Sequence, residues 1–335
     1  MNEAPSTFKP PVVDELSIRV LVDSAYELFM PKLEHAEVRI EQAKRRAGDQ
    51  MRSLAGEWGL SLHLTSKLEG SSVEYLLDFG YTPEIITRNF EMLGIDPGRI
   101  NGLILSHGHR DHFGGLDGFM KNFRTRLPDD IDLYVGGETV FREKWLGQKG
   151  KEPMPWGAID RSSLMALNVG QVCCHAPCDL HGPFTSGYIE RTTFETVTGG
   201  TLVIEEDDYD HFSNAERQGQ LVRDQHPDEH ATCFMLKGKG LVVISSCGHA
   251  GIVNTVKTAL SVANTDKLHA VIGGFHLGLA PDDYIEHTID ELEAMKPDVV
   301  IPMHCTGQNF IERMRGRMPE KLVRSNVGSL FSFGG

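Results

Sequence analysis

Short apolar runs alternate along the chain with amphipathic, helix-forming stretches. Val12 to Asp23 (VVDELSIRVLVD) alternates and then turns uniformly apolar before an acidic end, the pattern of a strand entering a core. Leu60 to Leu64 and Val73 to Phe79 predict a strand pair joined by the polar loop Thr65 to Ser72. Thr82 to Leu93 predicts a helix, with a Thr cap, Pro at the first helical position and Gly94 closing it. Asn101 to Leu105 and Ile131 to Val135 predict strands, and Leu116 to Phe123 a helix between them. Thr201 to Glu205 predicts another strand. Ala231 to Leu236 and Gly240 to Ser246 predict a hairpin turned by Lys237 to Lys239. Two more apolar strands, Ala270 to Gly273 and Val299 to Met303, flank the helical Pro281 to Met295. Pro31 to Gln50 is rich in charge and helix formers without an apolar stripe, which predicts a solvated surface helix.

Strands of both hairpin and crossover type, with helices between them, predict a mixed α/β protein with sheets at its centre and helices outside. No internal repeat, low-complexity linker or composition shift marks a boundary, so residues 1–335 are read as one domain. Val140 to Glu195 breaks the periodicity with Trp145, Pro153, Pro155, Trp156, Pro177 and Pro183, and is read as a loop-rich insertion.

Charge narrows the function. Lys plus Arg number 33 against 47 Asp plus Glu, a formal charge of −14, which argues against partners that present phosphate backbones or anionic membrane surfaces. Met1 to Pro11 lacks the basic start and apolar core of a secretory signal, and no stretch is apolar enough to span a bilayer, so a cytoplasmic location is expected. The six cysteines are irregularly spaced, which fits reduced thiols, and Cys173, Cys174 and Cys178 lack the paired spacing of a zinc ribbon.

The chemistry concentrates in Ser106 to Gly115 (SHGHRDHFGG), a loop leaving a buried strand. His107, His109, Asp111 and His112 crowd six positions there; imidazole and carboxylate are donors that suit zinc and similar ions. Gly108, Gly114 and Gly115 are read as letting the backbone turn tightly around such a site. His249 (SSCGHAG), His276 (GGFHLG) and His304 (PMHCTG) each follow a short strand in the same way. Together with the first cluster they approach the roughly six protein ligands that a dinuclear site needs.

The pattern His107-x-His109-x-Asp111-His112, followed by isolated later histidines, resembles the metallo-β-lactamase superfamily over nearly the whole chain. The resemblance implies an αββα four-layer sandwich with metals at one rim. LVDSAYE, LLDFG, LGIDPGRINGLILSHGHRDHFGGL, GLVVISSCGHAGIVNT, GGFHL and IPMHCTG resemble a narrower group. That group is named for the methanogen enzyme that joins a dihydropterin methyl diphosphate to a ribofuranosyl aminobenzene phosphate. Residue by residue, the resemblance implies His107 and His109 on one metal, Asp111 and His112 on the other, and His304 completing the second site. Asp78 resembles the acid that supports the metal loop, and Cys247 falls where a bridging aspartate stands in most members. The third ligand of the first site is assigned to His249, with Cys247 as a possible thiolate ligand. His226 and His230, in the acidic stretch Asp224 to Glu229, are read as part of a solvated loop.

The expectation is a hydrolase with two divalent ions, zinc foremost and manganese or iron as alternatives, using metal-activated hydroxide on an ester, lactone or phosphodiester. Asp111 is assigned metal binding and proton transfer, and His276 substrate contact or stabilisation of developing charge. Two rival readings are a synthase-like transferase on a diphosphate substrate and a non-catalytic, metal-dependent metabolite-binding protein. The substrate is expected to be a small molecule, phosphorylated or ring-containing. Arg110 is a candidate phosphate contact, as are Arg142, Arg161 and Arg191. Trp145, Trp156, Phe184 and Tyr188 are candidates for the pocket wall, Trp156 foremost.

Overall fold

The computed structural model describes residues 8–43, 52–197, 199–204 and 221–334. Two large sheets face each other. One runs in the order Gly170–Cys173, Asp132–Val135, Ile100–Leu105, Ser71–Leu77, Ser61–Leu68, Glu15–Val22, Ser329–Gly334, Arg39–Gln42. In the other, Val12–Val13 pairs with Thr232–Leu236, followed by Gly240–Ser245, Leu268–Gly273 and Val299–Pro302, with Phe184–Thr185 also paired to Thr232–Leu236.

Side-chain alternation sends the apolar residues of the large sheets' strands into three buried clusters. Val20, Leu62, Leu77 and Ile104 of the first sheet meet Phe234, Val242, Ile244 and Ile272 of the second in the central core. On the opposite faces, Leu103, Leu105 and Leu133 pack under Phe90, Phe119 and Phe123 of the helices Pro83–Leu93 and Leu116–Phe123. Val243, Val271 and Val300 pack under Ile252, Val256, Ile285 and Phe310 of the helices Ile252–Val262, Asp282–Met295 and Gln308–Arg317. The strands are therefore buried on both faces, which is why they read as continuous apolar runs. The architecture is the expected αββα sandwich.

The parallel strands decide where chemistry gathers. Ser71–Leu77, Ile100–Leu105 and Asp132–Val135 of the first sheet, and Gly240–Ser245, Leu268–Gly273 and Val299–Pro302 of the second, run parallel through helical crossovers, so their carboxyl ends share one rim. Asp78, the loop from Ser106, Cys247, His276 and His304 all follow such ends, and Asp23 follows Glu15–Val22, a strand antiparallel to its neighbours.

Several elements depart from expectation. Pro31 to Gln50 contains no helix among its described residues: Arg39–Gln42 is an edge strand held by the distant Ser329–Gly334, a pairing that local propensity does not report; residues 44–51 lie outside the described ones. Thr65 to Ser72 is not a loop. The two strands extend to Leu68 and from Ser71, and the turn is Glu69 and Gly70, both at positive φ (51° and 83°), the geometry of a tight hairpin. Residues 140–195 are more ordered than expected: Lys144–Leu146 and Met154–Gly157 join Thr201–Ile204 and Leu221–Arg223 in a small four-stranded sheet. Gly170–Cys173 becomes the edge of the larger sheet. Glu205 lies outside the described residues.

Candidate metal centre

The loop leaving Ile100–Leu105 turns into a four-residue helix, Arg110–Phe113, that places His107, His109, Asp111 and His112 in one small volume. Its glycines act through lack of bulk. Gly108, Gly114 and Gly115 do not adopt positive φ; a Cβ would lie 2.5 Å from the Val140 carbonyl, 2.2 Å from that of Tyr81 and 2.1 Å from that of Phe79. They let strand, loop and helix approach closely, rather than making a special turn.

Asp78 holds this loop from below. Its Oδ1 accepts the Ser106 backbone N–H at 2.8 Å, and its Oδ2 accepts Ser106 Oγ–H at 2.9 Å and lies 2.8 Å from His112 Nδ1. A carboxylate on Nδ1 turns Nε2 of His112 toward the centre, the usual outer-shell arrangement of a ligating histidine. Asp78, His226, His276 and His304 all sit at positive φ (58°, 51°, 50° and 52°), a local strain typical of functional positions.

The later histidines converge on the loop. His249 lies 4.9 Å from His107 and 4.6 Å from His109, ring centre to ring centre, and His276 is 4.2 Å beyond it. His304 is 4.9 Å from His112, and its Nε2 is 3.4 Å from Asp111 Oδ2. The ligand atoms of His107, His109 and His249 lie within 4.8 Å of one another.

The donor set fits a metal. His107 Nε2, His109 Nε2, His112 Nε2 and Asp111 Oδ1 are buried without hydrogen-bond partners among the described residues. An orphaned buried polar atom costs about 1–3 kcal/mol, so four within one six-residue loop are the mark of donors arranged for cations. Burial, together with the neighbouring imidazoles, pushes His107, His109 and His249 well below the ordinary histidine value, which keeps their lone pairs free at neutral pH. Burial favours the neutral form of Asp111, yet the facing His112 and His304 hold its carboxyl below the usual range.

Composition misled on Asp224 to His230. Its acids and histidines are buried, with only Gln225 exposed: His226 stacks on His249 at 4.1 Å and lies 4.9 Å from His109. Glu229 accepts the backbone N–H groups of Gly248, His249 and Ala250 at 2.8, 2.9 and 2.6 Å, fixing the loop that carries His249. His230 reaches the Leu105 carbonyl at 2.9 Å. What neutralises the two aspartates is Lys144, fully buried 2.8 Å from Asp224 and 3.5 Å from Asp228. The available signal was three acids and two histidines within seven positions directly before an apolar strand.

Trp156 does wall the centre: its ring lies 5.0 Å from that of His109, and its Nε1 is 3.4 Å from the Tyr81 hydroxyl. Trp58, not singled out from sequence, lies 4.9 Å from His304 on the other side and is 53% exposed. Phe184 and Tyr188 do not join the wall; Phe184 packs on Phe8, and Tyr188 stacks on His175. Arg110 is exposed, its guanidinium 5.9 Å from the ring of Tyr81, whose hydroxyl meets Trp156 Nε1. Arg161 is committed to a two-pronged pair with Glu138, and Arg191 donates to the Gln225 carbonyl. Asp23, read from sequence only as the acidic end of a strand, accepts the His304 N–H at 2.9 Å.

The fold and this cluster together define the class. A family model for the metallo-β-lactamase superfamily matches residues 74–129, which span the motif. The 7,8-dihydropterin-6-methyl-4-(β-D-ribofuranosyl)-aminobenzene-5′-phosphate synthase of Methanocaldococcus jannaschii is 30% identical over 283 residues, covering 82% of this chain and 90% of that protein. The chain belongs to the metallo-β-lactamase superfamily, in its dihydropterin-synthase-like group. A second protein of the same organism, the uncharacterized MJ0448, is 24% identical over 251 residues, covering 74% of this chain and 84% of its own. The crystal structure of Tm1679, described as a metal-dependent hydrolase of the β-lactamase superfamily, superposes with a TM-score of 0.68 at 23% identity, covering 94% of this chain and 98% of that one. Among the described residues no helix is long and apolar enough to cross a membrane.

Proposed function

We propose that the protein is a metal-dependent hydrolase acting on small molecules with an ester, lactone or phosphodiester bond. The observation that carries this reading is the convergence of the unpartnered Nε2 atoms of His107, His109 and His112 with the Asp111 carboxylate. His107, His109 and His249 would hold one divalent ion, with His226 stacked beside them, and Asp111, His112 and His304 a second. Zinc suits these donors best. Such ions supply Lewis acidity, lowering the pKa of water and polarising the bond under attack.

The chain's own groups complete the chemistry. Asp111, kept ionised between His112 and His304, is positioned to accept a proton. His276, only partly buried beside His249, is the group to stabilise charge developing on the substrate. Trp156 and Trp58 present flat faces on either side, suited to a ring, and Arg110 adds a cation near Trp156 for a phosphate. Trp156→Ala is expected to raise KM about tenfold, the equivalent of one aromatic contact, with metal content unchanged. Equal loss of thermal stability and of bound metal would instead make Trp156 structural.

A second reading, a synthase-like transferase displacing diphosphate, is favoured by the 30% identity to the protein of that name. The test is turnover by metal-loaded protein on a panel of esters, lactones and phosphodiesters, and separately on a dihydropterin methyl diphosphate with an aminobenzene riboside phosphate. Hydrolysis lost on chelation and restored by zinc supports the first reading. Diphosphate release only with formation of the joined product supports the second. Tight retention of a panel compound without turnover would sink both and leave a binding protein.

A further inference from the structure

We infer that Cys247 and Cys305 are a redox pair that closes into a disulfide under peroxide and thereby loosens the metal centre. The effect on metal rests on the metal-site reading above; the bond itself does not. Cys247 follows the strand Gly240–Ser245 and Cys305 follows Val299–Pro302, with Leu268–Gly273 between them in the sheet. Their sulfurs nevertheless lie 3.3 Å apart, and both residues are buried. The middle strand ends in Gly273 and Gly274, and a Cβ on Gly274 would stand 2.8 Å from Cys305 Sγ and 3.2 Å from Cys247 Cα. A glycine at that position is what leaves the two sulfurs room to meet. Closing the gap to a bond of about 2 Å takes a shift of about 1 Å.

The pair is tied to two histidines of the centre. Cys305 directly follows His304, and its sulfur accepts the His276 backbone N–H at 3.3 Å. Cys247 Sγ lies 3.2 Å from His276 Nδ1. Hydrogen peroxide is small enough to reach the more accessible sulfur, that of Cys305, which is 5% exposed against 2% for Cys247. The Cys305 sulfur attacks the O–O bond, which breaks to give a sulfenic acid and one water. The Cys247 sulfur then displaces the sulfenic oxygen, forming the S–S bond and releasing a second water that carries away the remaining thiol proton. Two thiols are oxidised and one peroxide is reduced. The new bond draws both sulfurs out of their contacts with His276 and pulls on the backbone of His304, whose N–H is fixed by Asp23. A centre that loses the setting of two histidines holds metal less tightly. A dithiol reductant reverses the change.

The test is peroxide treatment of the reduced, zinc-loaded full chain. Released zinc is followed with a chromogenic chelator, and the protein is then denatured for thiol counting and mass spectrometry of its peptides. Two of the six thiols are expected to disappear, with a mass loss of about 2 Da and a peptide pair joining Cys247 to Cys305, while zinc is released in step. Dithiothreitol is expected to restore the thiols and zinc binding. Cys305→Ala, with Cys305→Ser as a second variant, is expected to keep its zinc at the same dose. Cys174→Ser, just past the edge strand Gly170–Cys173, is expected to behave as the parent. Thiol loss confined to Cys173, Cys174 and Cys178, a disulfide formed with zinc retained, or zinc release that persists in both Cys305 variants overturns the inference. A reduced parent that binds no zinc overturns the metal-site reading and the switch with it, whereas a zinc-binding parent without the cross-link overturns the switch alone.

Discussion

Replacing His109 with alanine is expected to lower the metal-dependent rate about 10³-fold, because a divalent ion contributes several kcal/mol of transition-state stabilisation and each 1.4 kcal/mol is a factor of ten. His109 touches more of the centre than any single pairing suggests. Its ring lies 4.6 Å from both His107 and His249, 4.9 Å from His226 and 5.0 Å from Trp156. Elemental analysis of parent and His109→Ala protein prepared alike is expected to show about two ions per chain falling toward one. The folded state should persist, since the variant removes an unpartnered buried nitrogen. An unchanged metal content with an unchanged rate would show that the cluster is not the catalytic centre.

The second large effect lies beneath the centre. Lys144→Met is expected to destabilise the protein by about 3–5 kcal/mol, the cost of leaving buried charge uncompensated, and to lower the thermal midpoint by about 10 °C. Burial lowers the Lys144 pKa, but Asp228 and Asp224 outweigh it and hold the ammonium above the ordinary lysine value. Asp228 also accepts the Gly108 N–H at 2.7 Å, and Asp224 the His226 N–H at 2.9 Å. The loss should therefore reach the metal, as weaker affinity on both the His107–His109 loop and His226. Combining Lys144→Met with Asp224→Asn and Asp228→Asn is expected to recover much of the stability, because the residual charge is gone. Should Lys144→Met alone unfold at the parent temperature, the buried triad would not be holding this part of the fold together.

Lys144 also explains where the sequence was opaque. It opens the first strand of a segment that reads as loop, and its partners lie 80 and 84 positions later in a stretch that reads as solvated acid. Neither half makes sense alone. A buried lysine and two buried aspartates are each prohibitive in isolation and acceptable together, so composition assigned both segments to the surface. His226 went astray for the same reason: its acidic neighbours suggested water, whereas the structure packs it on His249 and His109. Trp58 carried no local signal at all.

What the sequence by itself determined was whatever short-range spacing encodes. Buried strands appear as uninterrupted apolar runs, the helix Pro83–Leu93 by its proline start and its Gly94 stop, and the first metal-binding loop as four donors within six positions. His249, His276 and His304 were also recognisable, because each follows a strand whose carboxyl end faces the same rim. Tertiary structure alone decided which distant groups join them: the αββα packing brings Cys247 within reach of both sides of the centre, sets Lys144 under Asp224 and Asp228, and stands two tryptophans beside the histidines. The physical reason is burial. A donor's or a charge's partners are fixed by what the folded core excludes from water, and that exclusion is a property of the packed sheets rather than of any local run of residues.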